Sequence, residues 1–136
     1  MRRYIPDYSD EGISRDRYLE LLHFCRQYRD WKMQADSYLG AGAQKYDPMP
    51  HGEGAVSDPT QTAMLKREQY RAKIDLVDQA IAAAGAEWKT ALLMNVCYGR
   101  PYYQISPVVM PTSKRTAYYE AKRLFFIALD RLKGSD

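Results

Sequence analysis

Apolar residues recur every three or four positions along most of the chain, which is the spacing typical of amphipathic α-helices. The first such stretch predicts a helix over residues 14–39, whose apolar stripe is formed by Tyr18, Leu21, Leu22, Cys25, Tyr28, Ala35 and Tyr38. Ser14 is a suitable N-cap, and Gly40 and Gly42 are expected to end the helix. Residues 40–58 contain four glycines and two prolines without periodicity, and therefore predict a loop.

The next helix has the clearest start signal in the sequence. Asp58 is expected at the N-cap and Pro59 at the first helical position, because proline lacks the amide that would be unpaired there. The apolar positions that follow, in a 4-3-4-3 spacing, are Tyr70, Ile74, Val77, Ile81 and Ala84. This stripe is typical of a core helix, and the alternative is a coiled-coil seam for dimerisation. Gly85 is expected to end the helix.

Three further segments complete the predicted elements. A helix over residues 86–98 has Trp88, Leu92 (or Ala91) and Val96 on one side. Residues 101–110 predict a short, imperfect helix that ends before Pro107. The last helix is expected to open at residues 111–113 and to reach Lys133. Its predicted core stripe is Ala117, Ala121, Leu124, Ala128 and Leu132, with Phe125 and Leu129 beside it.

Together these elements predict an all-α helical bundle. It divides into an N-terminal helical segment (1–39), the Gly/Pro-rich loop (40–58) and a helical DNA-binding domain (59–136). Within that domain, residues 86–133 have the element order of a helix-turn-helix. The 136 residues are 46% apolar and 27% charged, which is ordinary for a soluble globular protein. No apolar run approaches the roughly 18 residues of a membrane span, so no membrane contact is expected.

Candidate chemistry for catalysis or metal binding is sparse. His23 and His51 stand alone, and the sequence has no motif for a catalytic nucleophile or a phosphate-binding loop. Cys25 and Cys97 lie in apolar helical stretches and are expected to be core residues rather than a disulfide framework or a zinc site. We therefore expect a cytoplasmic protein that is not an enzyme and needs no cofactor or metal.

Positive charge is concentrated towards the C-terminus. Residues 99–136 hold seven Lys and Arg against three Asp and Glu, a net charge of +4, whereas residues 1–98 sum to −1. A local excess of this kind is typical of a surface that binds a polyanion. The alternative is a solvated helix face without a partner.

The outward face predicted for the last helix alternates cations with tyrosines. One row holds Lys114, Tyr118 and Lys122, and the adjoining row holds Arg115, Tyr119 and either Lys122 or Arg123. Such a face suits a DNA groove, because Arg and Lys bind guanine edges or phosphates and Tyr hydroxyls bind phosphates. The alternative is that Tyr118 and Tyr119 are half-buried packing residues and the cations are merely solvated.

This segment resembles the last helix of sigma-factor region-4-type domains and, more closely, that of phage late-gene transcription activators of the ArpU/RinA type. The residues that carry the resemblance are Pro111-Thr112-Ser113-Lys114-Arg115-Thr116-Ala117-Tyr118-Tyr119 and Lys122-Arg123-Leu124-Phe125-Phe126. The stretches Pro50-His51-Gly52 and Ser57-Asp58-Pro59-Thr60 also resemble that group, so the similarity covers roughly residues 45–133. Pro107 and Pro111 depart from the family pattern, in which a regular supporting helix precedes the last one.

The resemblance implies a sequence-specific DNA-binding regulator of phage or prophage late genes, with Ser113 as the cap of the last helix. The candidate DNA-contacting residues are Ser113, Lys114, Arg115, Tyr118, Tyr119, Lys122 and Arg123, while Thr116 and Ala117 would begin the packed side. The partners would be double-stranded DNA, a second copy of the chain and host RNA polymerase. Two alternatives are a DNA-packaging initiation protein similar to a small terminase subunit, and a helical protein-interaction module with no DNA role.

Overall fold

The computed structural model describes residues 5–44, 59–105, 107–112 and 114–134, and helices and turns account for their regular structure. The main helices are α1 (Arg15–Cys25), α2 (Tyr28–Gln44), α3 (Pro59–Ala84), α4 (Lys89–Leu92) and α5 (Arg115–Lys133). No strand occurs in these ranges. The predicted all-α class is therefore confirmed.

The N-terminal segment forms two helices rather than the single helix predicted over residues 14–39. Ser14 caps α1 as expected, since its hydroxyl accepts a hydrogen bond from the Arg17 backbone N–H at 3.1 Å. The break comes at Gln27, whose backbone N–H donates to the carbonyl of Phe24 in a tighter turn. The side-chain amide of Gln27 donates to the carbonyl of His23 at 3.3 Å. A side chain thus replaces the regular helical partner.

The two glycines that were expected to end the N-terminal helix lie within α2. The helix continues through Gly40 and Gly42 to Gln44, so the prediction that the loop starts at residue 40 was wrong. A glycine lowers helix stability by about 1 kcal/mol but does not forbid a helix, and α2 packs along α3. Residues 45–58, which include His51 and the predicted cap Asp58, lie outside the described residues.

Helix α3 lies at the centre of the bundle, between α2 and α5. It begins at Pro59 and ends at Ala84, as predicted. Gly85 follows with a φ of +129°, a conformation that other residues rarely adopt. The apolar stripe of α3 packs into the core of its own chain. Val77 is fully buried, and Ile74 and Ile81 are buried beside it.

One apolar core joins all the long helices. It includes Leu21 of α1, Trp31 of α2, Val77 of α3 and Phe125 of α5, each at most 2% exposed. An ion pair of 2.6 Å between Arg17 and Asp130 links α1 to α5 at the edge of this core.

The segment that leads towards α5 is irregular. A 3-10 turn (Ala86–Trp88) leads into α4, which continues as a π turn (Leu93–Cys97). Trp88, Leu92 and Val96 are all buried, as the predicted stripe requires. The predicted short helix over residues 101–110 is instead two 3-10 turns, Tyr102–Gln104 and Pro107–Val109. The supporting helix of a helix-turn-helix is thus replaced by two single turns, and the helix-turn-helix stays a prediction.

Candidate nucleic-acid interface

Helix α5 is rotated about its axis relative to the sequence prediction. Its buried residues are Tyr118, Ala121, Lys122, Phe125, Phe126 and Leu129. Tyr118 is fully buried and Lys122 is 8% exposed, so the prediction that both lie on the outward face was wrong. Leu124 and Leu132, predicted in the core, are 39% and 41% exposed. The aromatic rings fill the core better than the smaller Ala and Leu stripe, and the alkyl stem of Lys122 packs with them.

Tyr118 joins α5 to the π turn. Its hydroxyl donates to Asn95 Oδ1 at 2.7 Å, and Asn95 Nδ2 donates to the carbonyl of Arg100 at 2.8 Å. Its ring lies 5.9 Å from that of Trp88 and 5.5 Å from that of Tyr102. Burial raises the pKa of the Tyr118 hydroxyl, so it stays a neutral donor. Tyr118 is therefore a packing residue that holds the backbone at Arg100 in place.

Arg115 lies over two tyrosine rings at the start of α5. Its guanidinium is 5.2 Å from the ring centroid of Tyr102 and 5.5 Å from that of Tyr119. The two rings are stacked on one another, 5.7 Å apart and 27° from parallel. Tyr119 is half-buried, whereas Arg115 is exposed. A guanidinium that rests on aromatic faces is already partly ordered, so it loses little side-chain freedom when it binds a ligand.

Lys122 lies near a cation that the sequence prediction missed. Burial, together with the positive charge of Arg26, lowers the pKa of Lys122 from 10.5 to about 8. Arg26 follows the last residue of α1, and its Nε donates to the carbonyl of Val96 at 2.7 Å. No periodic pattern could have placed it beside α5, because the two are far apart in sequence and are joined only by the tertiary fold.

Two of the remaining predicted site residues have local structural roles. Arg123 forms ion pairs with Glu11 and Glu120, each at 2.5 Å, and so ties α5 to the N-terminal turn. The hydrogen bond to Arg123 lowers the pKa of Glu120. Lys114 is exposed at the N-cap position of α5, where its backbone N–H donates to the Thr112 hydroxyl. Ser113, predicted as the cap, lies outside the described residues.

Four exposed cations lie on or beside the connection that precedes α5. Arg26 lies against Gly99, since a Cβ on Gly99 would be 2.8 Å from Arg26 Nη1. Arg100 follows Gly99, and Tyr102 lies under Arg115, the neighbour of Lys114. We call the surface formed by Arg26, Arg100, Lys114 and Arg115 the basic face. The two carboxylates of α5, those of Glu120 and Asp130, are paired with Arg123 and Arg17.

Comparison with protein-family models, curated proteins and solved structures gives no match to this chain. In the described parts of the chain, no three His, Cys, Asp or Glu side chains come close enough together to hold a metal ion. Across those same ranges no helix is both long and apolar enough to cross a membrane.

Proposed function

We propose that the chain is a sequence-specific DNA-binding protein that contacts the duplex through the basic face. The observation that carries the proposal is that exposed cations from three chain segments lie on or beside the connection that leads into α5. Cations from the end of α1, from the connection at Arg100 and from α5 form one surface, and duplex DNA is the polyanion that such a surface suits.

Arg115 is the residue we assign to base recognition. It is the first residue of α5, exposed, and oriented by the rings of Tyr102 and Tyr119. An oriented guanidinium can donate two hydrogen bonds to the O6 and N7 atoms of guanine in the major groove. Lys114 and Arg100 flank it and would neutralise phosphates, which fixes the register of the protein on the duplex.

The role we propose is transcription regulation, because the resemblance of the C-terminal segment is to late-gene activators. Host RNA polymerase or a second copy of the chain would then bind elsewhere on the bundle. Such a partner would find apolar contacts at three side chains that are more than half exposed: Met33 on α2, and Met64 and Leu65 near the start of α3.

The test is a titration of the protein against labelled duplexes from its own genomic neighbourhood and against a scrambled duplex, at two salt concentrations. We expect tight binding to one duplex that weakens with salt. Arg115→Ala should lower the specific affinity by about 1–3 kcal/mol and leave the helical circular dichroism unchanged. Arg71→Ala, which removes an exposed cation of α3, is the matched control and should bind as the wild type does.

Equal, weak binding to every duplex would refute the proposal and favour a protein-interaction module. Light scattering on the same sample measures the oligomeric state and so distinguishes an activator from a packaging-initiation protein. A packaging-initiation protein would form a large ring, which an activator of this kind would not form.

A further inference from the structure

Tyr103 is an aromatic side chain that the fold leaves in solvent, on the connection that precedes α5. It is 73% exposed, more than any other large apolar side chain that the structure describes. The core of the bundle therefore does not use this ring. Exposed tyrosine rings are enriched where proteins bind a partner, because contact removes their apolar faces from water and leaves the hydroxyl hydrated.

The turn that carries Tyr103 is held in place on both sides. It is the 3-10 turn Tyr102–Gln104, which is closed by a hydrogen bond of 3.1 Å from the Ile105 backbone N–H to the carbonyl of Tyr102. Ile105 itself is buried. Before the turn, a side-chain amide donates to the carbonyl of Arg100 at 2.8 Å. A ring that is displayed on an ordered turn loses little chain freedom when it binds.

Tyr102 fixes the turn against α5 and so places Tyr103 beside the basic face. The ring of Tyr102 is stacked on that of Tyr119, and the Arg115 guanidinium lies 5.2 Å from the Tyr102 centroid. Consecutive Cα atoms are about 3.8 Å apart, so a single peptide unit joins Tyr103 to this stack. Arg100, which belongs to the basic face, precedes the turn on the same connection.

The charge of the surrounding segment favours a polyanion as the partner of Tyr103. Residues 88–119 contain Lys89, Arg100, Lys114 and Arg115 but no Asp or Glu. Nucleic acid is a polyanion that also carries aromatic rings. Proteins that bind unpaired strands combine cations that track the phosphates with aromatic side chains on which the bases stack.

We propose that the ring of Tyr103 stacks on a nucleobase that has left the base stack of the DNA bound by the basic face. The inference rests on the proposed function and narrows it, because the preferred DNA then has an unpaired or easily unstacked base beside the base pair that Arg115 contacts. Unstacking costs least at mismatches and at flexible pyrimidine–purine steps. Stacking of the base on the tyrosine ring offsets that cost.

The first experiment compares a short oligothymidylate with an abasic oligomer of the same length. Both probes carry the same phosphate charge, but only the oligothymidylate can stack. We expect the oligothymidylate to bind about tenfold more tightly and to shift the NMR signals of the Tyr103 ring protons upfield in a saturable way. Equal affinity for the two probes, without ring shifts, would overturn the inference.

Variants of Tyr103 distinguish stacking from a contact of its hydroxyl. Tyr103→Ala should weaken oligothymidylate binding by about tenfold, whereas Tyr103→Phe, which keeps the ring, should bind as the wild type does. Tyr98→Ala is the matched control, because Tyr98 is also an exposed tyrosine but precedes the turn. Equal losses in Tyr103→Phe and Tyr103→Ala would assign the effect to the hydroxyl and overturn stacking. Helical circular dichroism checks that each variant is folded.

The second experiment uses the duplex selected in the titration described above and introduces a single mismatch at each position in turn. Because a mismatch lowers the cost of unstacking, we expect the wild type to bind one mismatched duplex about tenfold more tightly than the matched duplex. Tyr103→Ala should lose this preference, and Tyr103→Phe should keep it.

The outcomes distinguish the two proposals. Selective duplex binding that shows no preference for a mismatch and no effect of Tyr103→Ala overturns this inference and leaves the proposed function standing. Oligothymidylate binding through Tyr103 without selection among duplexes overturns the proposed function and identifies the chain as a binder of unpaired strands. Failure with every probe overturns both.

Discussion

Lys122→Met should stabilise the protein at neutral pH, and the gain should shrink as the pH rises. The substitution keeps the unbranched stem that packs in the core and removes the ammonium. In the folded state the pKa of Lys122 falls from 10.5 to about 8. One pKa unit corresponds to about 1.4 kcal/mol, so the buried charge costs about 3 kcal/mol at about pH 7.

The sign follows from proton binding. Between the folded and unfolded pKa values of Lys122 the unfolded chain binds more protons, so wild-type stability rises with pH across that window. At about pH 9.5 the remaining cost is about 1 kcal/mol. Loss of the contact with Tyr119 offsets about 0.5–1 kcal/mol of the gain. We therefore expect Lys122→Met to be about 2 kcal/mol more stable than the wild type at about pH 7, an advantage that falls by about 2 kcal/mol at about pH 9.5.

The assay is urea unfolding followed by helical circular dichroism, in phosphate-free buffers at both pH values. Burial raises the pKa of Cys25 and of Tyr118, which makes stability fall at alkaline pH, but these groups are common to both proteins and cancel in the difference. Lys73→Met is the matched control, because exposed Lys73 also lies over an aromatic ring, that of Trp31, at 5.7 Å. Its effect should stay within about 0.5 kcal/mol at both pH values.

A stability difference between Lys122→Met and wild type that does not change with pH would refute the reasoning, because it would mean that the ammonium is not desolvated in the fold.

Two further variant pairs test the packing around α5 by the same unfolding assay. Phe125→Ala should lower the free energy of unfolding by about 3–5 kcal/mol because the ring is fully buried. Leu124→Ala should lower it by less than about 1 kcal/mol. Similar losses for the two variants would favour the orientation of α5 that the sequence predicted. Gly99→Ala should be more destabilising than Gly12→Ala, since both glycines have positive φ but only a Cβ at Gly99 would meet another group, the Arg26 guanidinium; equal costs would show that the guanidinium moves away freely.

The spacing of apolar residues and the positions of proline and glycine predicted the bounds of a helix correctly where one local physical requirement determined them. Pro59 and Gly85 bound α3 as expected, because a missing amide and a positive φ are local requirements. The break at Gln27 had no such signal, since it depends on a side-chain hydrogen bond to His23. Gly40 and Gly42 were predicted to end a helix but lie within α2, because packing against α3 outweighs their weak helix propensity.

The candidate site was predicted only in part, and the reason lies in α5. The helix has two stripes that could face the core, one of Ala and Leu and one of Tyr, Phe and Lys. Treating Lys122 and Tyr118 as polar placed both outside the core, although both carry long apolar bodies, whereas Ala121, Phe125 and Leu129 are buried as predicted. Arg115 and Lys114 were correctly predicted to be exposed, whereas Arg26 and Arg100 join them only through the tertiary fold.

The π turn at Leu93–Cys97 makes the length of this segment as important as its composition. A π turn is an α-helix that has gained one residue. Here the extra residue brings Asn95 to the Tyr118 hydroxyl while Trp88 and Leu92 stay in the core. Deleting one residue would restore a regular helix and rotate everything beyond it by about 100°, which would turn Asn95 away. Related chains should therefore vary by substitution at the exposed positions of this segment and keep its residue count constant.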